Sequence, residues 1–501
     1  LNYKDIDDGD GMAYILALDQ GTSSSRAMVF DSNGRHTSLA QKSLTQIFPQ
    51  PGWVEHNAQE IWSTQLECAQ QALSNAGIVA QNLSAIGITN QRETTVLWSK
   101  RSGQPIHNAI VWQDRRTTPW CEAQRAAGLE SMVRAKTGLM IDPYFSASKI
   151  VWLLEHVPGA RKLADNGELL FGTVDTWLIW KLTNGEKHVT DVTNASRTLL
   201  YNIEDSEWDQ DLLQRWNIPA NILPEVQVSG SHFGTTALLG GEVPITGVAG
   251  DQQAAMFGQG CVQPGQAKNT YGTGCFFMLH TGENSFQSRH GLLTTRTAQV
   301  SRLPQYGLEG AVFNTGSLIQ WLRDGLGIIQ SSNEVEMLAR SVDHADQVMI
   351  VPAFNGLGSP HWDPKARGII VGLTRGTNKA HLARAALQSI ALQVAELVDA
   401  MQNDTKLRLE ELYVDGGGSV NNLLMQMQAD YLGVPVVRPK NVETTAFGAA
   451  ALAAHTIGIF QYAQRDDMEV DRFEPRLSAD AAQAKLAQWR KAVERCKDWV
   501  D

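Results

Sequence analysis

Near the start of the chain the apolar positions fall into two short runs, residues 14–18 and 27–30. Between them lies Asp19-Gln20-Gly21-Thr22-Ser23-Ser24-Ser25-Arg26. Runs this short, bounded by turn residues, read as buried strands, so a hairpin is predicted. Asp31-Ser32-Asn33-Gly34 then turns the chain into a third antiparallel strand over 37–42. Asn57 is placed to cap a helix running to about Ala76, with Ile61, Leu66, Ala69 and Leu73 inward. Further apolar runs predict strands over 85–89, 108–112 and 244–249. These open into Asn90-Gln91-Arg92-Glu93-Thr94, Gln113-Asp114-Arg115-Arg116 and Gly250-Asp251-Gln252-Gln253. Strands alternating with helices predict a mostly parallel sheet covered on both faces. Polar groups at strand ends are where such sheets hold ligands.

The second half repeats the opening pattern. After a glycine-punctuated passage, 258–265, the run Lys268-Asn269-Thr270-Tyr271-Gly272-Thr273-Gly274 leads into apolar 275–279. Strand, small hydroxylated glycine turn, strand: this is the first hairpin again, and it suggests two related domains facing each other across a cleft. Leu382, Ala386, Ile390, Val394, Leu397 and Met401 predict a helix over 381–401. A strand over 412–414 opens into Asp415-Gly416-Gly417-Gly418-Ser419, and a helix follows over 421–432. Residues 444–457 read as an alanine-rich helix able to pack closely, and 479–499 as a surface helix.

Composition narrows the function. At 501 residues, two large domains are expected. No apolar run is long enough to span a bilayer, so no membrane insertion is expected. A net charge of −11 argues against a nucleic-acid surface, which needs clustered Lys and Arg; it does not argue against ATP. The five cysteines, Cys68, Cys121, Cys261, Cys275 and Cys496, are odd in number, scattered, and lack zinc spacing. They read as reduced thiols of a cytoplasmic protein. Asn194-Ala195-Ser196 fits a glycosylation acceptor, but no secretory signal accompanies it. Residues 1–11 are acidic and unpatterned and read as an extension before Met12.

The first turn has the chemistry of a phosphate site. Gly21 lets backbone approach a ligand, hydroxyls and amides donate to phosphate oxygens, and Arg26 adds a charged fork. Asp19, ending a buried strand, suits Mg²⁺ held through water. A polar turn without a ligand is the alternative. There is no GxxxxGK[ST], which excludes a Walker-type site.

Together with Pro51-Gly52-Trp53-Val54-Glu55-His56, Tyr271-Gly272-Thr273-Gly274-Cys275-Phe276 and the patterns at 144–156 and 368–388, these motifs identify the relationship. From about Tyr14 to its end the chain resembles the FGGY carbohydrate kinase family. The resemblance implies an α/β fold of two RNase H-like (actin-like ATPase) domains flanking a catalytic cleft. They follow an N-terminal extension (1–13): an N-terminal domain (14–257) with the polyol site and first phosphate turn, and a C-terminal domain (258–501) with the nucleotide site. It also implies ATP-dependent phosphorylation of glycerol to sn-glycerol 3-phosphate, feeding glycerol catabolism, with ATP and Mg²⁺ required and a homo-oligomer, dimer or tetramer, as assembly.

Residue by residue, the family places the phosphates of Mg-ATP between Thr22, Ser23, Ser24 and Arg26 on one side and Thr273 on the other. Gly316, Gln320, Gly417 and Asn421 match its positions around ribose and base. Arg92, Glu93, Tyr144, Asp251 and Gln252 become hydroxyl partners of the polyol, and Trp112 and Phe276 the wall against its carbon chain. Asp251 is the expected general base, with a share in metal binding beside Asp19.

Two rivals have different signatures. Pentulose or gluconate kinases of the family commonly carry a Gln-Met-His-Gly type stretch where this chain has Gln91-Arg92-Glu93-Thr94. An actin-like ATPase without a small acceptor has no need of a polyol pocket. One departure concerns regulation. Relatives inhibited by fructose 1,6-bisphosphate carry a glycine loop with Lys and Arg. The matching stretch here, 234–244, has neither, and has Glu242 near the expected arginine. Weak inhibition or none is expected.

Overall fold

The computed structural model describes residues 13–354, 356–440, 443–459 and 469–500. Of the expected N-terminal extension, residues 1–12 lie outside them. The chain forms two compact units, interleaved in sequence: Leu1–Gly260 with Thr295–Tyr306 and Glu443–Asp466, and Cys261–Thr294 with Gly307–Val442 and Asp467–Asp501.

The first unit is built on a six-stranded sheet. Its strands are β1 (Tyr14–Gln20), β2 (Ser24–Asp31), β3 (His36–Ser43), β4 (Leu83–Asn90), β5 (Gly234–Thr236) and β6 (Val243–Gly250). Their order is β5-β6-β4-β1-β2-β3. The hairpin forms as predicted, with Leu18 opposite Ala27 and Gln20 opposite Ser25. Successive side chains of β1 alternate between two cores. Leu16 and Leu18 join Ile61, Cys68 and Ala69 of helix α1 (Ala58–Ala76), whereas Ile15 and Ala17 face Ala446, Ala450 and Ala453. Asn57 caps α1, its Oδ1 accepting from the Gln59 and Glu60 amides. From the end of β6 the chain turns directly into helix α2 (Asp251–Gly258).

The second unit carries a seven-stranded sheet. Its strands are β7 (Ala267–Tyr271), β8 (Cys275–Gly282), β9 (Leu293–Arg296), β10 (Tyr306–Val312), β11 (Leu412–Asp415), β12 (Val436–Pro439) and β13 (Val470–Phe473). They run in the order β9-β10-β8-β7-β11-β12-β13. The series β10-β8-β7-β11-β12 repeats β3-β2-β1-β4-β6 of the first unit. Helix α3 (Lys379–Thr405) buries Ala386, Ile390, Val394 and Leu397 in the core of this unit, and α4 (Asn422–Leu432) follows β11.

Helix α5 (Thr444–Thr456) belongs to the first unit although it comes late in the chain. Its fit depends on missing side chains. A Cβ at Gly87 of β4 would lie 2.1 Å from the Ala449 carbonyl oxygen, and one at Gly448 1.8 Å from that of Ala254 in α2.

Several expectations are corrected. The sheet of the first unit is mixed: β1/β2, β2/β3 and β5/β6 are antiparallel, and only β1/β4 and β4/β6 are parallel. The strand expected over 108–112 shrinks to Ala109–Ile110, outside the main sheet and paired with Glu55–His56. On α1, Gln65 rather than Leu66 is buried, because its amide donates to the Arg26 carbonyl. The last helix ends at Val493 rather than Trp499, and Leu486, Trp489 and Val493 fasten one face to the core. Both unit sheets and the repeated turn are as the resemblance implies.

Candidate functional site

The first unit gathers one set of candidate residues at the ends of its central strands. Arg92 and Glu93 follow β4, Asp251 opens α2 after β6, and Trp112 and Tyr144 come from loops. Arg92 and Glu93 are almost fully buried, whereas the Asp251 side chain is 32% exposed. The Arg92 Nε lies 3.2 Å from Asp251 Oδ1, Nη1 donates to Gln253 Oε1 at 3.3 Å, and Nη2 reaches the Tyr144 hydroxyl at 3.5 Å. Gly250 makes this approach possible, since a Cβ there would fall 2.6 Å from Arg92 Cγ. A buried guanidinium needs such partners, because stripping water from a charge is costly.

Glu93 sits at φ +61°, a conformation sparsely populated outside glycine. Its surroundings hold it there. Arg197 Nε donates to its Oε1 at 2.7 Å, and its carbonyl accepts from the Thr95 and Ser146 hydroxyls. Strained residues of this kind cluster at functional sites. The Arg197 guanidinium also lies over the rings of Tyr144 and Phe145, 5.5 and 5.2 Å from their centroids. Trp112 meets Tyr144 edge-on at 5.5 Å. Its indole N–H donates to Thr22 Oγ1 at 3.0 Å, tying the first turn to this set. Gln252 is buried one residue after Asp251, and its amide donates to Asp251 Oδ1 at 2.7 Å.

Asp19 and Arg26 close the same end of the sheet. They are paired across β1 and β2, and Arg26 Nη1 also donates to Glu443 Oε2 at 2.8 Å. Burial holds the Asp19 carboxyl above the usual range; Arg26 opposes this, while Asp251 and Glu443 add to it. Arg26 thus has both terminal nitrogens engaged by carboxylates. In the turn itself the Gly21 amide donates to the Ser24 carbonyl, Ser23 is exposed, and Ser24 Oγ accepts from Gln41. Ser25 is turned inward and donates to Gln20 Oε1.

In the second unit Thr273, Gly316, Gln320, Gly417 and Asn421 line one cavity of about 440 Å³, with Tyr271, Ile390 and Leu424 among its apolar walls. Backbone packing shapes it. The amides of Thr315 and Gly316 donate to the carbonyls of Thr273 and Gly272, and a Cβ at Gly316 would lie 2.5 Å from the Gly272 oxygen. Gly416, at φ +81°, passes as closely over the Tyr271 carbonyl. Asn421 caps α4 through the Leu424 amide, and Glu336 accepts from the amides of Asn422 and Leu423. Thr273 stands exposed at the tip of the turn. Phe276 stands on β8, half-buried, opposite Thr270.

Four supporting residues had been given no role from the sequence. Arg197 and Gln253 hold Glu93 and Arg92, and Glu336 finishes the start of α4. Lys149 donates to the carbonyls of Pro143, Tyr144 and Phe145, clamping the segment that presents Tyr144. Burial brings its ammonium down to about 8, against the opposing pull of Glu93 and Asp114. Lys149 stood within a quoted motif without a role, and Arg197 had no local signal. Among the described residues no cluster of three or more His, Cys, Asp or Glu is arranged to hold a metal, and no helix is long and apolar enough to cross a membrane. All five cysteines are buried and unpaired with one another.

Comparison with known proteins gives one consistent answer. Residues 14–258 match the model of the N-terminal domain of the FGGY family of carbohydrate kinases, and 267–457 that of its C-terminal domain. Glycerol kinase of Deinococcus radiodurans is 57% identical, over 97% of this chain and 98% of that protein. Glycerol kinase of Acidovorax ebreus is 58% identical, over 96% and 99%. Among solved structures, Plasmodium falciparum glycerol kinase with ADP superposes with a TM-score of 0.91 at 34% identity, covering 97% of this chain and 98% of that one. Gluconate kinase of Lactobacillus acidophilus, at 20% identity and a TM-score of 0.87 over 97% and 98% of the two chains, shares the fold.

Proposed function

We propose that this chain, which belongs to the FGGY family of carbohydrate kinases, transfers the γ-phosphoryl group of ATP to glycerol, forming sn-glycerol 3-phosphate and ADP. The observation that carries the reading is the Arg92–Asp251–Tyr144 cluster, in which a buried guanidinium meets a half-open carboxylate and a phenol. The relatives named above, at 57% and 58% identity, are glycerol kinases.

Glycerol is small, neutral and covered in hydroxyls, so its site needs fixed donors and acceptors beside an apolar wall. Arg92, Tyr144 and Gln252 donate to hydroxyls, Glu93 accepts from them, and Trp112 and Phe276 form the wall. A substrate lacking a hydroxyl would leave buried charge without its partner, which makes the pocket selective. Asp251 is the acidic member with exposed surface, and it acts as general base. It takes the proton of the primary hydroxyl as the oxygen–phosphorus bond forms, and the bond to the ADP oxygen breaks. Arg92, with its Nε 3.2 Å from Oδ1, aims the Asp251 carboxylate.

Thr22, Ser23, Ser24, Arg26 and Thr273 hold the phosphates, and Gly316, Gln320, Gly417 and Asn421 the ribose and base. Arg26 serves this role while paired with Asp19 and Glu443, so it acts as a positioned positive charge. Asp19 and Asp251 fit Mg²⁺. Two hard oxygen donors suit an ion that keeps several waters and takes its other ligands from phosphates. The upward pull that Asp251 exerts on Asp19 is a like-charge conflict that a cation relieves. When bound, Mg²⁺ neutralises phosphate charge. The enzyme is a cytoplasmic homo-oligomer on this reading, a dimer or tetramer.

A coupled assay of ADP release with glycerol, xylulose, ribulose, gluconate or no acceptor tests the proposal. Turnover confined to glycerol is expected. Preference for another acceptor would move the chain to a different branch of the family, and acceptor-independent hydrolysis would make it an ATPase.

A further inference from the structure

Beside α4, along Asn422, Gln426 and Asp430, lies a second cleft of about 670 Å³ that none of the proposed roles uses. Five arginines line it, Arg340, Arg384, Arg438, Arg472 and Arg476, against two carboxylates, Asp430 and Asp471. In a chain of net charge −11, such a concentration of guanidinium groups needs a cause.

The pairings divide the five by task. Arg438 is structural: it donates to Asp471, to the Ser419 carbonyl and to Asn422 Oδ1. Arg472 pairs with Glu411 and Glu474. Asp471 is held by Arg438 and Lys440, and Asp430 accepts from the Gln426 side chain and the Arg476 amide. Both acids of the cleft therefore have cationic or N–H partners already. Arg384 and Arg476 are different. Arg384 spends only Nη1, on the carbonyls of Ala339 and Val342, and Arg476 has no side-chain partner among the described residues. Burial pulls Arg384 below the ordinary arginine value; Tyr431 and Asp343 oppose this, and the like charge of Arg340 adds a smaller push in the same direction as burial. Guanidiniums with N–H donors left over, as on Arg384 and Arg476, are the arrangement that recognises phosphate oxygens, through planar forks.

We propose that this cleft binds a small phosphate-bearing anion, held by Arg384 and Arg476 with Arg340, and that its occupancy is felt at the neighbouring cavity. The link is Glu336. Its carboxylate lines the 440 Å³ cavity, accepts from the amides that start α4, and pairs with Arg340 at 2.7 Å. An anion that draws Arg340 toward the cleft weakens its hold on Glu336 and so shifts the start of α4, where Asn421 sits. The coupling rests on the nucleotide reading of that cavity; binding in the cleft does not.

The probe is inorganic pyrophosphate, titrated calorimetrically into the Mg²⁺-free full chain. Arg384→Gln combined with Arg476→Gln is expected to weaken binding by about tenfold or more, the effect of losing charged hydrogen bonds. Arg476→Gln alone, at an exposed side chain without a partner, guards against a folding defect and is expected to weaken binding by a smaller factor. Thr273→Ala, on the phosphate turn, is expected to leave unchanged the part of the binding that the arginine substitutions weaken. Equal affinity in the double variant, loss of binding in Thr273→Ala instead, or no binding by the wild type would overturn the proposal. The coupling is read from the KM for ATP at constant free Mg²⁺. Pyrophosphate should change it severalfold in the wild type beyond any change in the double variant; identical responses would overturn the coupling. Absence of glycerol turnover would sink the kinase reading while leaving the calorimetric result standing.

Discussion

The two hairpin turns, residues 21–24 and 272–274, occupy the same place in the same strand order and are made of opposite materials. The first is surrounded by charge: Asp19, Arg26, Glu443, Arg92 and Asp251 close one end of a single sheet. Around the second, glycines and backbone predominate. Gly272 and Thr273 spend their carbonyls on amides of the following helix, and Gly316 and Gly416 let chain pass over chain. One copy of the fold carries the charged groups, which on the proposed reading move a proton and grip hydroxyls. In the other, side chains were removed to open a cavity with an apolar floor and a few polar rims. The pattern fits a division in which the first unit carries the acceptor chemistry and the second the recognition of a nucleotide.

That division can be broken from the charged side first. Asp251→Asn keeps the hydrogen-bond shape but cannot take a proton, so kcat should fall by ~10²–10⁴-fold. Glycerol binding, measured by calorimetry, should survive. Binding lost together with turnover would make Asp251 structural.

Arg92→Ala should act chiefly on glycerol. A charged hydrogen bond is worth ~1.5–3 kcal/mol, so the glycerol KM should rise by about one to two decades, with the ATP KM little changed. Steady-state kinetics in both substrates decides it, and an equal rise in the two constants would erase the contrast between units.

From the glycine side, Gly316→Ala places a methyl 2.5 Å from the Gly272 oxygen. Backbone must shift to admit it, at a cost typical of overpacking, ~1–3 kcal/mol. The ATP KM should rise by about tenfold while the glycerol KM holds, the mirror image of Arg92→Ala.

A subtler test uses the lysine clamp. The Lys149 ammonium, lowered by burial to about 8, is charged at neutral pH and loses a proton as pH rises through that value. Neutral amine has one donor fewer for the three carbonyls around Tyr144. The glycerol KM should therefore rise a few-fold above about pH 8, and Lys149→Met should remove that pH dependence while raising KM at every pH. A wild-type KM flat from pH 7 to 9 would dismiss the clamp.

Smallest of all is an expected absence of effect. Fructose 1,6-bisphosphate, titrated to millimolar levels at sub-saturating glycerol, should cause no inhibition that depends on Gly240 and Gly241, since their loop offers Glu242 and no cation. Inhibition abolished by substituting those glycines would show that amides suffice. Inhibition that survives the substitutions belongs elsewhere, and the arginine cleft is the place to look.

Local pattern was enough for both hairpins, for α1 with its Asn57 cap, for α3 and for α4, because strand and helix periodicity and capping act within a few residues. It was enough, too, to mark Arg92, Glu93 and Asp251 as polar groups at strand ends. The resemblance carried across the chain added Thr273, Gly316, Gln320, Gly417 and Asn421, which the fold then placed on one cavity. What tertiary structure alone decided involves partners distant in sequence. Residues 109–110 pair with 55–56, outside the main sheet, because an apolar run specifies burial and not which edge receives it. Gly87 and Gly448 are glycines because α5, more than 350 residues after β4, lies against the first sheet and α2. Arg197 reaches Glu93 across 104 positions, and Arg384 and Arg476 meet in one cleft from different helices and loops. Charges and close backbone approaches act over a few ångströms of space, and only the folded chain brings such residues within that reach.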